Sequence, residues 1–99
     1  MTKVYLEQDG NRFTVSAKDH ATGSVECCAA VSCLLFALAG FLQEIPFTIL
    51  RLSLEDADAQ IVFRGDDRCK AAFDLVKTAF VMMEQSYGEF VSVDFVKIE

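Results

Sequence analysis

Val25-Glu26-Cys27-Cys28-Ala29-Ala30-Val31-Ser32-Cys33-Leu34-Leu35-Phe36-Ala37-Leu38-Ala39-Gly40-Phe41-Leu42 is the stretch that decides the architecture. It has helix-forming composition and apolar residues nearly all round, so it predicts a helix from about Val25 to Leu42 buried on several sides. Its uncharged part, Cys27 to Leu42, is sixteen residues long. That is short of the roughly 20 needed to cross a bilayer, and Glu26 and Gln43-Glu44 bound it, so a buried core helix is expected and no membrane association. Small residues at 29, 30, 37, 39 and 40 would let a sheet or a second helix approach closely, and Pro46 marks the stop.

The flanks supply the sheet. Val4 to Glu7 and Arg12 to Ala17 alternate apolar and polar residues around Asp9-Gly10-Asn11, the pattern of a hairpin with an Asp-Gly type turn. Beyond Pro46, Phe47 to Leu54 alternates with Leu50, Leu52 and Leu54 on one face, and Ala59 to Arg64 follows the polar turn Glu55-Asp56-Ala57-Asp58 as a second hairpin. A second, amphipathic helix from about Arg68 to Tyr87 carries Cys69, Ala72, Phe73, Val76, Phe80, Met83 and Tyr87 on its apolar face. Asp66 or Asp67 would cap it and Gly88 would end it. Phe90 to Ile98 closes the chain as a strand with Val91, Val93 and Phe95 on one face. The order is ββαββαβ, and the fold class is α+β: a mostly antiparallel sheet with two helices on one face.

The chain has 99 residues, 53% of them hydrophobic, with one Pro and five Gly. One domain over residues 1–99 is expected, and so apolar a composition for so small a domain predicts a homodimer. Nine Lys and Arg against fifteen Asp and Glu give a net charge of −6. The basic residues are scattered, which argues against direct nucleic-acid binding. The N-terminus reads as a strand rather than a targeting signal, which points to the cytoplasm. Cys27, Cys28, Cys33 and Cys69 form neither a secreted disulfide framework nor a paired Cys-x-x-Cys zinc pattern, and free thiols in a reducing compartment are expected. A metal held by His20, Cys27, Cys28 and Cys69 is disfavoured, because adjacent cysteines on a helix point in different directions. No cofactor is expected.

Chemistry is concentrated just before the first helix. In His20-Ala21-Thr22-Gly23-Ser24-Val25-Glu26-Cys27-Cys28 the only histidine stands one short, glycine-containing loop ahead of a thiol in the first helical turn. Thiolate is the reactive form of cysteine. A helix N-terminus and a nearby imidazole can lower a thiol pKa from about 8.5 into the range of about 3.5–7.5, so these are the parts of a cysteine nucleophile and its base. Ser24 or Thr22 would cap the helix, and Glu26 complements its positive end.

His20-Ala21, a glycine-containing loop and Cys28-Ala29-Ala30-Val31-Ser32 together resemble the signature of the ribosomal-processing cysteine protease family, Prp. Length and element order agree with that family from end to end, and motif-level similarity runs from His20 to about Leu42. The resemblance implies that His20 is the catalytic histidine and Cys28 the nucleophile, with Cys27 at an apolar position. It also implies a homodimer that removes a short N-terminal extension from a basic large-subunit ribosomal protein, cutting after an aromatic residue. For bacteriophage relatives the substrate would be a capsid or scaffold protein with a similar segment. Three departures stand out: Asp19 where the family usually has Gly, a shorter connection between His20 and Cys28, and Val25 where an acidic residue is usual. Two alternatives from other classes are a non-catalytic dimeric interaction module that has kept the fold, and a thiol redox sensor using Cys27 and Cys28.

Overall fold

A computed structural model describes residues 1–19, 25–55 and 58–98. The elements follow the expected order: β1 (Thr2–Asp9), β2 (Arg12–Lys18), α1 (Val25–Gln43), β3 (Ile49–Glu55), β4 (Asp58–Arg64), α2 (Asp67–Ser86) and β5 (Val91–Ile98). They make one five-stranded sheet in the order β3-β4-β2-β1-β5. The β1–β2, β2–β4 and β3–β4 pairs are antiparallel and β1–β5 is parallel, so the sheet is mixed but mostly antiparallel.

The first hairpin closes at Asp9 opposite Arg12, leaving Gly10-Asn11 as a two-residue loop. Gly10 has φ 61°, the left-handed value that the first central residue of a type II′ turn requires. Cross-strand register then stacks Val4, Ala17 and Ala59, and next to them Leu6, Val15 and Ile61, on the same face of the sheet. Both helices cover that face. Val31, Leu35 and Leu42 of α1 and Phe73, Val76 and Phe80 of α2 join these strand residues in one buried cluster. Its aromatic centre is Phe13, Phe63 and Phe73, with Phe13 stacked on Phe63 at 5.2 Å and tilted against Phe73 at 4.9 Å between centroids. The opposite face carries Lys3, Tyr5, Thr14, Ser16, Lys18, Gln60 and Asp94, which line a shallow polar hollow.

Asp66, rather than Asp67, caps α2: its carboxylate accepts from the Arg68 backbone N–H at 3.1 Å and from the Arg68 guanidinium at 3.4 Å. Those hydrogen bonds hold the Asp66 carboxyl below its ordinary range. At the other end, Tyr87 closes the helix by donating its N–H to the Met83 carbonyl, in place of a left-handed Gly88.

Three expectations change. The leucines at 50, 52 and 54 do not share a regular face, because the β3–β4 register shifts between Ile49 and Arg51; Leu50 sits in that irregularity, half exposed. Phe47 is no strand residue, since it has φ 60° and its side chain is wholly exposed. Nor is α1 buried on several sides. Cys27, Val31, Leu35, Leu38, Ala39 and Leu42 face the core, while Val25, Ala29, Cys33, Phe36, Ala37, Gly40 and Phe41 are exposed. By length and composition it is apolar enough to cross a membrane, with a mean hydropathy of 2.2 and a third of it buried in the fold.

Candidate active site

The site is assembled at the end of the sheet where β2 finishes. Lys18 pairs with Asp58, and Asp58 with Glu55, so the ends of β2 and β3 and the start of β4 lie together. From this end the chain leaves β2 at Asp19 and enters α1 at Val25. His20, the proposed base, lies outside the described residues, as do the candidate caps Thr22 and Ser24.

Asp19 is the last described residue before α1. It adopts φ 60°, the left-handed region where glycine is the default and Asp or Asn the tolerated side chain. Asp19 thus turns the chain immediately before His20.

Cys28 is the fourth residue of α1, in its first turn. It is half-buried, while Cys27 is in the core. One residue of a helix turns by about 100°, and that step separates a packing thiol from one at the surface. The four cysteines are thiols in different settings. Cys33 is exposed, and Cys69 is fully buried at the start of α2. Burial pushes the Cys69 thiol up, and the Asp66 carboxylate adds to the rise. Cys69 follows β4 from the Arg64 end, next to the first hairpin, so it lies at the end of the sheet remote from Cys28. Cysteines 27, 28 and 69 are not brought together.

The flank of α1 that carries Cys28 can be assigned. Leu34, Ala37, Leu38 and Phe41 line a groove shared with Ala71, Ala72, Leu75 and Val76 of α2. The helix also contacts β3 and β4, whereas α2 contacts β5. Cys28, Ser32 and Phe36, four residues apart, form a stripe on the side turned from α2 and toward β3.

The fold is shared with known structures. Among solved structures the chain is similar to the ribosomal processing protease Prp from S. aureus in complex with a substrate peptide. The TM-score is 0.75 and the identity 15%, over 96% of this chain and 99% of that one. It is similar too to the same protease in complex with a covalently linked product peptide (TM-score 0.77, 16% identity, 96% and 99% covered). A third structure, SMU.848 from Streptococcus mutans, gives a TM-score of 0.80 at 17% identity over 99% of each chain. At these identities the likeness is one of fold. No family model and no curated protein sequence matches the chain.

Proposed function

We propose that this chain is a Prp-like cysteine endopeptidase in which Cys28 is the nucleophile and His20 the general base and acid. One observation carries the reading: a half-buried cysteine in the first turn of α1, on a fold shared over its whole length with a protease solved with peptide bound. Asp19 supports it by giving the chain a left-handed turn immediately before the histidine.

The mechanism follows from these parts. The Cys28 thiolate attacks the scissile carbonyl carbon, and backbone N–H groups of the first turn of α1 stabilise the oxyanion. The imidazolium of His20 protonates the departing amine. Water, deprotonated by His20, then releases the acyl group and restores the thiol. Losing one oxyanion donor costs about 2.7–4 kcal/mol in such transition states, so the placement of α1 matters as much as the sulfur.

The substrate in this reading is a basic large-subunit ribosomal protein with a short N-terminal extension, or a phage capsid or scaffold protein with a similar segment, cut after an aromatic residue in the cytoplasm. Asp19, Glu26, Glu55 and Asp58 surround this end of the sheet, with Lys18 among them, and their net negative charge favours a lysine-bearing partner. A second copy would cover the apolar groove between α1 and α2, about 440 Å³ in volume and bordered by exposed Phe41 and Leu75. The redox-sensor alternative is disfavoured by the two adjacent cysteines, one of which packs in the core.

The test incubates wild type and Cys28→Ala with the extended ribosomal protein from the same source and follows intact mass. Loss of a mass equal to the extension, with wild type only, is expected. Cleavage by both forms would exclude Cys28 as nucleophile, and cleavage by neither would leave the interaction-module alternative.

A further inference from the structure

Arg12, Arg51 and Arg64 are far apart in the sequence, and sheet order brings them together. β3, β4 and β2 are consecutive strands. Arg12 stands directly opposite Arg64, and Arg51 stands opposite Val62, two residues along β4 from Arg64. Directly opposed residues, and residues two apart on a strand, share a face, so the three arginines occupy one patch spanning two strand spacings, about 10 Å. Ile61 and Phe63, which alternate with Val62 and Arg64, belong to the core, so the patch lies on the face without helices. Thr14 and Val62 complete it. They are 8% and 6% exposed although neither belongs to the core cluster, and long neighbouring side chains are the cover this face has.

Such a grouping is unfavourable by itself, because like charges directly opposite each other in a ladder repel. A chain of net charge −6 has carboxylates to spare, yet the ion pairs among the described residues are Arg68–Asp66 and Lys70–Asp74. Arg12, Arg51 and Arg64 are all exposed, and among the described residues their guanidinium groups have no carboxylate partner. The acids nearest in register are on β1. Asp9 stands opposite Arg12 without an ion pair, and Glu7 accepts from the Tyr5 hydroxyl at 2.7 Å. The other opposed cations of this face, Lys3 and Lys18, are at the far end of the strands, where Asp58 stands opposite Lys18.

Three guanidinium groups gathered in this way suit one chemistry. The planar fork of arginine binds phosphate oxygens in pairs, which satisfies charge and geometry together. Extent decides between a compact phosphate and a long polyanion. Glu7 and Asp9 bound the patch on β1, Asp94 lies beyond them on β5, and Glu55 and Asp58 close the far end, so a chain of phosphates laid over the face would meet carboxylates. We propose that Arg12, Arg51 and Arg64 form a binding site for a small phosphate-bearing ligand, with the Thr14 hydroxyl on the same face as a further donor. The site is separate from Cys28 and independent of the protease reading: Arg12 begins β2 and Arg64 ends β4, whereas the chain passes from β2 to α1 at the opposite end of the sheet.

The probe is pyrophosphate, titrated calorimetrically into the intact protein at low ionic strength, where screening is weak. Saturable binding is expected. Arg64→Gln, at the centre of the patch, should weaken it at least about tenfold, and Arg12→Gln and Arg51→Gln at least about threefold each. Arg64→Lys keeps the charge but loses the fork, and should also weaken binding about threefold or more. Lys70→Gln removes the same charge from α2 and should change it less than about twofold. No saturable binding, equal loss with Lys70→Gln, or full affinity in Arg64→Lys would overturn the site. A single-stranded oligonucleotide of about eight nucleotides without terminal phosphates tests the other source of phosphate. Tighter binding of it than of pyrophosphate, lost in Arg64→Gln, would replace the small-ligand site by a nucleic-acid face. Altered sedimentation of Arg64→Gln with unchanged pyrophosphate affinity would assign the patch to a second copy of the chain instead.

Discussion

Gly65→Ala tests whether the junction between β4 and α2 is as tight as it is drawn. Gly65 has no left-handed φ, so alanine fits its backbone, and alone the change would stabilise the fold by about 0.4–1 kcal/mol through the unfolded chain. A methyl group there would overlap Cys69 Sγ and come within 3.0 Å of Cys69 Cβ, with Thr48 Cγ2 at 3.9 Å. Cys69 has little freedom to retreat, being fully buried in the turn held by the Asp66 cap. Overpacking of this kind costs about 1–3 kcal/mol, so a net loss of about 1–2 kcal/mol is expected. In a domain of this size that lowers Tm by roughly 5–15 °C. The assay is urea denaturation of wild type, Gly65→Ala, Cys69→Ala and the double variant. Removing the sulfur opens space for the methyl group, so the two changes should couple by about 1–2 kcal/mol, with Gly65→Ala less harmful when residue 69 is alanine. If Gly65→Ala is neutral or stabilising in native Cys69, or the coupling is under about 0.5 kcal/mol, the packing argument is wrong.

Two further outcomes follow from the same end of the molecule and from the thiols. The Asp66 carboxyl has a lowered folded-state pKa, so its contribution to stability is complete above the ordinary carboxylate value and is lost as pH falls through the folded value; Asp66→Asn, which keeps a capping oxygen, should reduce the acid-side loss of Tm and change little near neutrality. With a small alkylating reagent at neutral pH, Cys33 should be labelled in the native state and Cys69 only on unfolding, because Cys69 is fully buried and its thiol pKa is raised; native labelling of Cys69 at the rate of Cys33, read by peptide mass, would contradict that placement.

Much of this fold is legible in local chemistry. Asp9-Gly10-Asn11 between alternating runs gives the first hairpin, and Gly10 takes the backbone conformation that only such a residue adopts cheaply. The apolar period of Cys69, Phe73, Val76 and Phe80 gives the buried side of α2. What misleads is alternation without context. Leu50, Leu52 and Leu54 read as one face of a strand, but an irregularity next to Ile49 is set by pairing with β4, which no local pattern encodes. An edge also looks the same in sequence as a central strand, so the exposure of Leu50 and Leu52 follows only from sheet order. α1 misleads in a related way: an all-apolar sequence gives no sign of which side lacks a covering layer. At the site, the placement of Cys28 in the first helical turn is read directly from the sequence, and the backbone role of Asp19 is legible only in its φ. His20 lies outside the described residues.

The 27–28 pair fixes the bearing of the Cys28 sulfur. Since Cys27 is locked into the hydrophobic interior, α1 cannot rotate about its axis without tearing that packing, and the direction of the neighbouring thiol is set by the core rather than by the loop before it. A helix anchored in this way holds the thiol beside Cys27 as a fixed post whose heading the interior decides.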